Sequence, residues 1–299
     1  MQKKIPFFGT GTALITPFSS GEIDFAALER LIERQIHAGI PALIIGGTTG
    51  EAATLSDEER YELYRHAIEQ IAGRTRVILG TGTNDTRIAM RHTAEAERLG
   101  ADGVLVVTPY YNKGTRTGTV NHYRAIAAET ALPLILYNVP TRTGVNLSMD
   151  TLRELAEVEN IVAVKEASDS LDRLVELSTL TDSLYLYSGN DTQIFPTLAL
   201  GGVGVISVAS NLLPSKIQSI CEDCRAGRIE QARATQRELL PLLHALFWET
   251  NPTPVKYALS TLGLCQNELR LPLSTLSSEY RIGMDDVLRR FVRSAACDE

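Results

Sequence analysis

Eight short apolar, β-branched runs recur about 20 to 35 residues apart, each followed by a helical pattern, and they limit the fold more than any other feature of this chain. They are Thr12–Ile15, Ala42–Ile45, Val77–Leu79, Val104–Val107, Leu134–Leu136, Ile161–Val164, Leu184–Tyr187 and Val203–Ile206. Their hydrophobicity is continuous, so both faces of each strand are expected to be buried, as in a parallel sheet enclosed by helices. Helix punctuation lies between them. Asp24 precedes an amphipathic run through Leu28, Leu31, Ile32 and Ile36 that stops at Gly39, and another helix is expected to end at Leu99-Gly100. Ser56-Asp57-Glu58-Glu59 has the form of a capping box, in which hydroxyl and carboxylate satisfy each other's orphan amides. Eight βα units predict an α/β fold of the (β/α)8 TIM-barrel type, although counting alone leaves a doubly wound sheet open.

After about Leu213 the strand-like runs cease and helical patterns cover Gln231–Trp248 and Pro254–Leu262. We expect a catalytic barrel over residues 1–224 and a helical C-terminal extension over 225–299, packed on the barrel or on a neighbouring subunit.

A net charge of −7 gives no electrostatic footprint for nucleic acid or an anionic membrane, so small-molecule ligands are expected. Met1–Phe8 has two lysines but no apolar run with a cleavage site, and no segment approaches the roughly 18 apolar residues of a membrane span. A cytoplasmic location follows as the expectation. Cys221, Cys224, Cys265 and Cys297 are too sparse for a disulfide framework. Cys221-Glu-Asp-Cys224 lacks the second pair that zinc would need, so it reads as two thiols on one helix. His37, His66, His92, His122 and His244 are scattered without metal-binding spacing, and there is no Gly-x-Ser-x-Gly elbow. No metal and no cofactor are expected.

In a barrel the loops after the strands build the active site, and that is where the reactive residues fall. Lys165 directly follows the apolar run Ile161–Val164, where an ammonium is costly to desolvate. It reads equally as a nucleophile that forms a Schiff base with a keto acid or as a lysine paired to Glu166 or another carboxylate at the strand end. Its neighbours tip the balance. Thr49, Tyr111 and Tyr137 stand at other strand ends, and their hydroxyls can relay the protons of imine chemistry without adding charge. Gly46-Gly47-Thr48-Thr49-Gly50 offers amides and two hydroxyls to a carboxylate, and Arg142 could clamp a second one.

Four segments in order, Gly46-Gly47-Thr48-Thr49-Gly50-Glu51, Thr108-Pro109-Tyr110-Tyr111-Asn112, Tyr137 to Gly144 and Val164-Lys165-Glu166-Ala167, resemble the dihydrodipicolinate synthase family of class I aldolases. The likeness runs from Gly9 to Asn251-Pro252-Thr253-Pro254-Val255-Lys256. It implies condensation of pyruvate with L-aspartate 4-semialdehyde in the diaminopimelate route to lysine, without a cofactor. By that resemblance Lys165 forms the pyruvate imine, Thr48 and Thr49 hold the pyruvate carboxylate, and Tyr137 is the general acid and base. Thr49 then links Tyr137 to a Tyr111 supplied by the adjacent subunit, Arg142 binds the semialdehyde carboxylate, and Gly189 and Ile206 line the pocket. The family is usually a homotetramer, a dimer of dimers. A retro-aldol lyase or dehydratase acting on a sugar-derived 2-keto acid is the alternative, and Arg142 argues against it. A non-catalytic keto-acid binding protein is the reading from a different class. Asp57, Arg60 and Ile88 stand where lysine-inhibited relatives have polar ligands, which predicts weak feedback inhibition.

Overall fold

Parallel strands cannot be joined by tight turns, so each apolar run needs a crossover, and here every crossover is a helix. The computed structural model describes residues 3–295. Its strands are β1 (Gly9–Ala13), β2 (Ala42–Ile45), β3 (Arg76–Gly80), β4 (Gly103–Val107), β5 (Leu134–Asn138), β6 (Ile161–Glu166), β7 (Tyr185–Ser188) and β8 (Gly204–Ser207). Each pairs with the next, and β8 returns to β1 to close the barrel. The helices that follow them are α1 (Phe25–His37), α2 (Asp57–Ile71), α3 (Thr86–Leu99), α4 (Arg116–Ala127), α5 (Met149–Ala156), α6 (Leu171–Ser178), α7 (Ile194–Ala199) and α8 (Pro214–Arg225). The closed order excludes the doubly wound sheet.

The helix ends follow the sequence. The Asp24 side chain accepts from Ala27 N, and the Ser56–Glu59 box closes in both directions, at 3.2 and 2.9 Å. Gly100 ends α3 at φ +89, where a side chain would be strained. One strand differs from expectation. β1 covers Gly9–Ala13 rather than Thr12–Ile15, because its Gly-Thr-Gly-Thr stretch carries almost no hydrophobic signal, while Leu14 and Ile15 leave the sheet yet stay buried.

Alternation divides the strand side chains between two cores. Ala42, Ile44, Ile78, Leu105, Ile135 and Ile206 point into the barrel, whereas Leu43, Ile45, Leu79, Val106, Leu136 and Val205 pack outward under the helices. The barrel floor is stoppered. The Phe7 and Tyr187 rings stack at 4.5 Å between centroids, and Tyr187 Oη donates to Phe7 O at 2.5 Å.

Beyond α8 the chain forms α9 (Ile229–Ala245), α10 (Thr253–Thr261) and α11 (Ser278–Ala295). The first two match the expected helical patterns; the third was not singled out. α9 packs on α8, and α11 lies against α9 and α10. Among the described residues no helix is long and apolar enough to cross a membrane.

One buried histidine makes the fold sensitive to pH. His122 on α4 is buried against Tyr123, with Nδ1 2.9 Å from Thr86 Oγ1, and its burial, opposed by the Asp85 carboxylate, lowers its pKa to about 4. The unfolded chain therefore binds this proton at higher pH than the folded one. The contribution is present above the unfolded value near 6.5 and is lost as pH falls towards 4. Chemical denaturation should show a stability loss on the order of 1–3 kcal/mol across that window that His122→Gln largely abolishes. The same pH slope in both proteins would contradict this.

Candidate functional site

One irregularity in the sheet decides where Lys165 points. Leu134 of β5 pairs with Ile161 of β6, but the next residue, Ile135, pairs with Ala163, so Val162 is an extra residue in the ladder. Ile161 faces the helices, and strict alternation from it would turn Ala163 and Lys165 outward as well. With the insertion, Val162 and Ala163 both enter the barrel core and Val164 turns out, so that Lys165 comes back inside. The strand continues through Glu166, so Lys165 lies within it and not after its end.

Register then sets the neighbours. Tyr137 of β5 and Tyr187 of β7 are the pairing partners of Lys165 on either side. Lys165 is 6 % exposed, with Nζ 4.1 Å from the centroid of the Tyr137 ring. Glu166 faces the other way. Its buried carboxylate accepts from Asn138 Nδ2 at 3.0 and 2.9 Å and from Ser168 N at 2.8 Å, and Arg173 Nε lies 3.5 Å away. The alternative of a Lys165–Glu166 pair is thereby excluded, since Arg173 and Asn138 satisfy the carboxylate on the opposite side of the strand.

The turn after β2 is built around Gly46, at φ +65, where a Cβ would fall 2.6 Å from the Tyr64 ring. Gly50 N and Glu51 N turn back to Gly47 O and Thr48 O, each at 3.1 Å. Those two amides are consumed inside the turn. The amides of Thr48 and Thr49 have no acceptor among the described residues, and both threonines line a cavity of about 520 Å³ together with Tyr137, Arg142, Lys165 and Gly189. Arg142 stands on a single helical turn, Pro140–Thr143, and has no carboxylate partner among the described residues. Its guanidinium is available to a ligand at the mouth.

Two of the expected site residues fall elsewhere. Ile206 is fully buried in the barrel core and is not part of the cavity lining. Tyr111 is 90 % exposed, at φ +68, and does not reach the cavity of its own chain.

Other wall residues carried no sequence signal of their own. Leu243, His244 and Phe247, on and just after α9, close one side of the cavity, and Asn251 follows them. Asn251 Nδ2 donates to Thr49 Oγ1, and Arg142 Nη2 donates to Asn251 O, both at 3.0 Å. In the sequence Asn251 stood out only as part of the segment where the family likeness ends. Asp191 is a second such residue. It is buried in the wall and Oδ2 accepts from Val208 N and Ala209 N at 3.0 and 2.9 Å. Burial pushes its carboxyl above the ordinary range, against the pull of Ser207, the two amides and Lys165.

A fully buried ion pair locks the extension to the turn. Lys256 Nζ on α10 meets Glu51 Oε1, donates to Glu268 O at 2.9 Å and lies 4.2 Å from the Phe18 ring. Arg270 N donates to Glu51 Oε2 at 3.0 Å. Burial draws Lys256 below the lysine range while Glu51 holds it up. Among the described residues no group of three or more histidine, cysteine, aspartate or glutamate side chains could hold a metal ion. Cys221 and Cys224 are free thiols on α8, and Cys297 lies outside the described residues.

The model of the dihydrodipicolinate synthetase family matches residues 6–290. A 4-hydroxy-tetrahydrodipicolinate synthase from Alkaliphilus oremlandii is 47 % identical over 285 residues, covering 95 % of this chain and 98 % of that one. The solved structure of the 4-hydroxy-tetrahydrodipicolinate synthase from Methylacidiphilum fumariolicum superposes with a TM-score of 0.95 at 44 % identity, covering 98 % of each chain. A chloride-inhibited dihydrodipicolinate synthase from Acinetobacter baumannii, solved with pyruvate, gives 0.92 at 41 % identity, covering 95 % of this chain and 98 % of that one.

Removing one member of the Lys256–Glu51 pair strands the other charge in the interior. Glu51→Gln should lower stability by about 3–5 kcal/mol in chemical denaturation. Glu51→Gln with Lys256→Met should recover a large part of that loss, because no uncompensated charge remains buried. A double variant as unstable as the sum of the singles would contradict this.

Proposed function

The chain belongs to the dihydrodipicolinate synthetase family, and from that premise we propose that it condenses pyruvate with L-aspartate 4-semialdehyde through an imine on Lys165. The observation that carries the proposal is the inward Lys165, with the Tyr137 ring beside its amine and two threonine amides and hydroxyls in the same cavity.

Lys165 Nζ attacks the pyruvate C2 carbonyl, and the carbinolamine oxygen leaves as water once it has been protonated. Tyr137 supplies that proton, and the chain Tyr137–Thr49–Tyr111 restores it. Thr48 and Thr49 hold the pyruvate carboxylate with their unused amides and the Thr48 hydroxyl, which charge-assisted bonding favours, while the Thr49 hydroxyl is kept for the relay. A C3 proton passes to the relay, converting the imine to an enamine whose C3 attacks the aldehyde carbon of the second substrate, and the relay returns the proton to the aldehyde oxygen as it becomes a hydroxyl. Arg142 holds that substrate's carboxylate in a two-toothed bond, with Gly189 in the lining of the same cavity. The substrate's amine then displaces Lys165 from C2, closing the ring and freeing the lysine.

Tyr111 enters this scheme from an adjacent subunit. Its exposure and its strained backbone support that assignment, and with it an assembly of the homotetramer type, a dimer of dimers. A cytoplasmic location belongs to the same reading. Ile206 would contribute as part of the packing inside the barrel rather than as a wall. Weak feedback by lysine is also part of it. Asp57 is occupied by Arg91 and by His92 Nε2 at 3.0 Å, Arg60 by Ala52 O at 2.7 Å, and Ile88 offers no charge.

Borohydride reduction in the presence of pyruvate should add one pyruvate-derived mass to Lys165, and Lys165→Ala should abolish both the adduct and turnover by about 10³-fold or more. No adduct on Lys165 would sink the imine. Arg142→Leu should raise KM for the semialdehyde at least tenfold with KM for pyruvate little changed, and Arg142→Lys should not restore it, since one ammonium cannot replace the fork. Half-maximal inhibition by submillimolar lysine would overturn the expectation of weak feedback.

A further inference from the structure

Asn251 is the point at which the C-terminal extension touches the reactive turn. It is 5 % exposed and lines the cavity, in the segment between α9 and α10. Its amide Nδ2 donates to Thr49 Oγ1 at 3.0 Å, and its Oδ1 is buried without a partner among the described residues. Its backbone oxygen accepts from Arg142 Nη2 at 3.0 Å. Five residues on, Lys256 is tied to Glu51, two residues beyond Thr49, so the segment is also pinned just beyond this contact.

A hydroxyl has one proton to give and two lone pairs to receive with. A relay group must take a proton from one neighbour and pass its own to the next, so it needs one free lone pair and its own O–H. The Asn251 N–H fills one lone pair of Thr49 and leaves that pairing of functions intact. The opposite amide orientation would offer Oδ1 to Thr49, capture its proton and stop the outgoing transfer.

We propose that Asn251 is a positioning residue that fixes the direction in which the Thr49 hydroxyl donates, and that the extension thereby sets the polarity of the proton relay. The inference rests on the relay reading given above. The net change at Thr49 is nil, since one proton arrives at Oγ1 as another departs. Only the side chain takes part. The contact to Arg142 is made by the backbone and survives any substitution.

The test uses Asn251→Leu, which keeps the size and removes the donor, and Asn251→Asp, which keeps the shape and offers only acceptors when ionised. Each is compared with Thr49→Val and with the double variant Thr49→Val, Asn251→Leu. Asn251→Leu should lower kcat about 10- to 100-fold with both KM values within about threefold, and Asn251→Asp should lower it further. In the Thr49→Val background, Asn251→Leu should have no additional effect on kcat, because the group it acts through is gone. Pyruvate trapping on Lys165 in every variant shows that the barrel is folded and the imine forms, and Asn251→Asp decides the matter where the leucine variant does not fold. Wild-type kcat in Asn251→Asp, or multiplicative losses in the double variant, would overturn the role of Asn251. Wild-type kcat in Thr49→Val would instead overturn the relay on which it rests.

Discussion

The chemistry of this barrel hangs on the phase of one strand. A strand has two faces, and a residue can serve a site inside the barrel only if it is counted onto the inner one. Between Ile161 and Ala163 the ladder of β6 takes in one extra residue, and everything after it changes sides. Without that insertion Lys165 would be driven among the helices and Glu166 into the cavity, reversing the charge of the site. With it, the amine faces the Tyr137 ring and the carboxylate is retired into a separate network with Asn138 and Arg173. The same constraint explains why Lys165 and Glu166, adjacent in sequence, do not neutralise each other.

Much of this was legible beforehand, for reasons that can be named. Continuous apolar runs and capped helices report burial and local hydrogen bonding, both of which are nearest-neighbour properties, so seven of the eight strands and the helix ends at Asp24, Ser56 and Gly100 could be read directly. β1 was misplaced because glycine and threonine carry no hydrophobic contrast. The reactive side chains could be singled out because they stand at or just past the ends of the apolar runs. Their convergence could not, since it depends on register, and no pattern in Ile161–Glu166 announces the bulge. Asn251 and Asp191 escaped notice for a related reason: a buried polar residue is recognised by its partners, and those partners are distant in the chain.

The extension does more than cover the barrel. Its helices supply one wall of the cavity, and its Asn251 and Lys256 reach the turn that carries Thr48 and Thr49. Burying Lys256 with Glu51 is expensive in desolvation and is offset only while both charges are present and hydrogen-bonded. Such a pair contributes little net stability, but it tolerates few alternative arrangements. Position is what it supplies: the reactive turn is held from one side by β2 and from the other by α10.

The Tyr187 ring, from the pairing partner of Lys165, stacks on Phe7, which precedes β1, and together they fill the N-terminal end of the barrel. A shaft stopped at its lower end has a single opening. Whatever reacts at the amine has to descend past the upper wall, and the water lost in forming an imine has to climb out by the same route before a second molecule can settle above it. On the proposed reading an order of arrival follows: the molecule bonded to the amine enters first, and the one that Arg142 would hold comes after it.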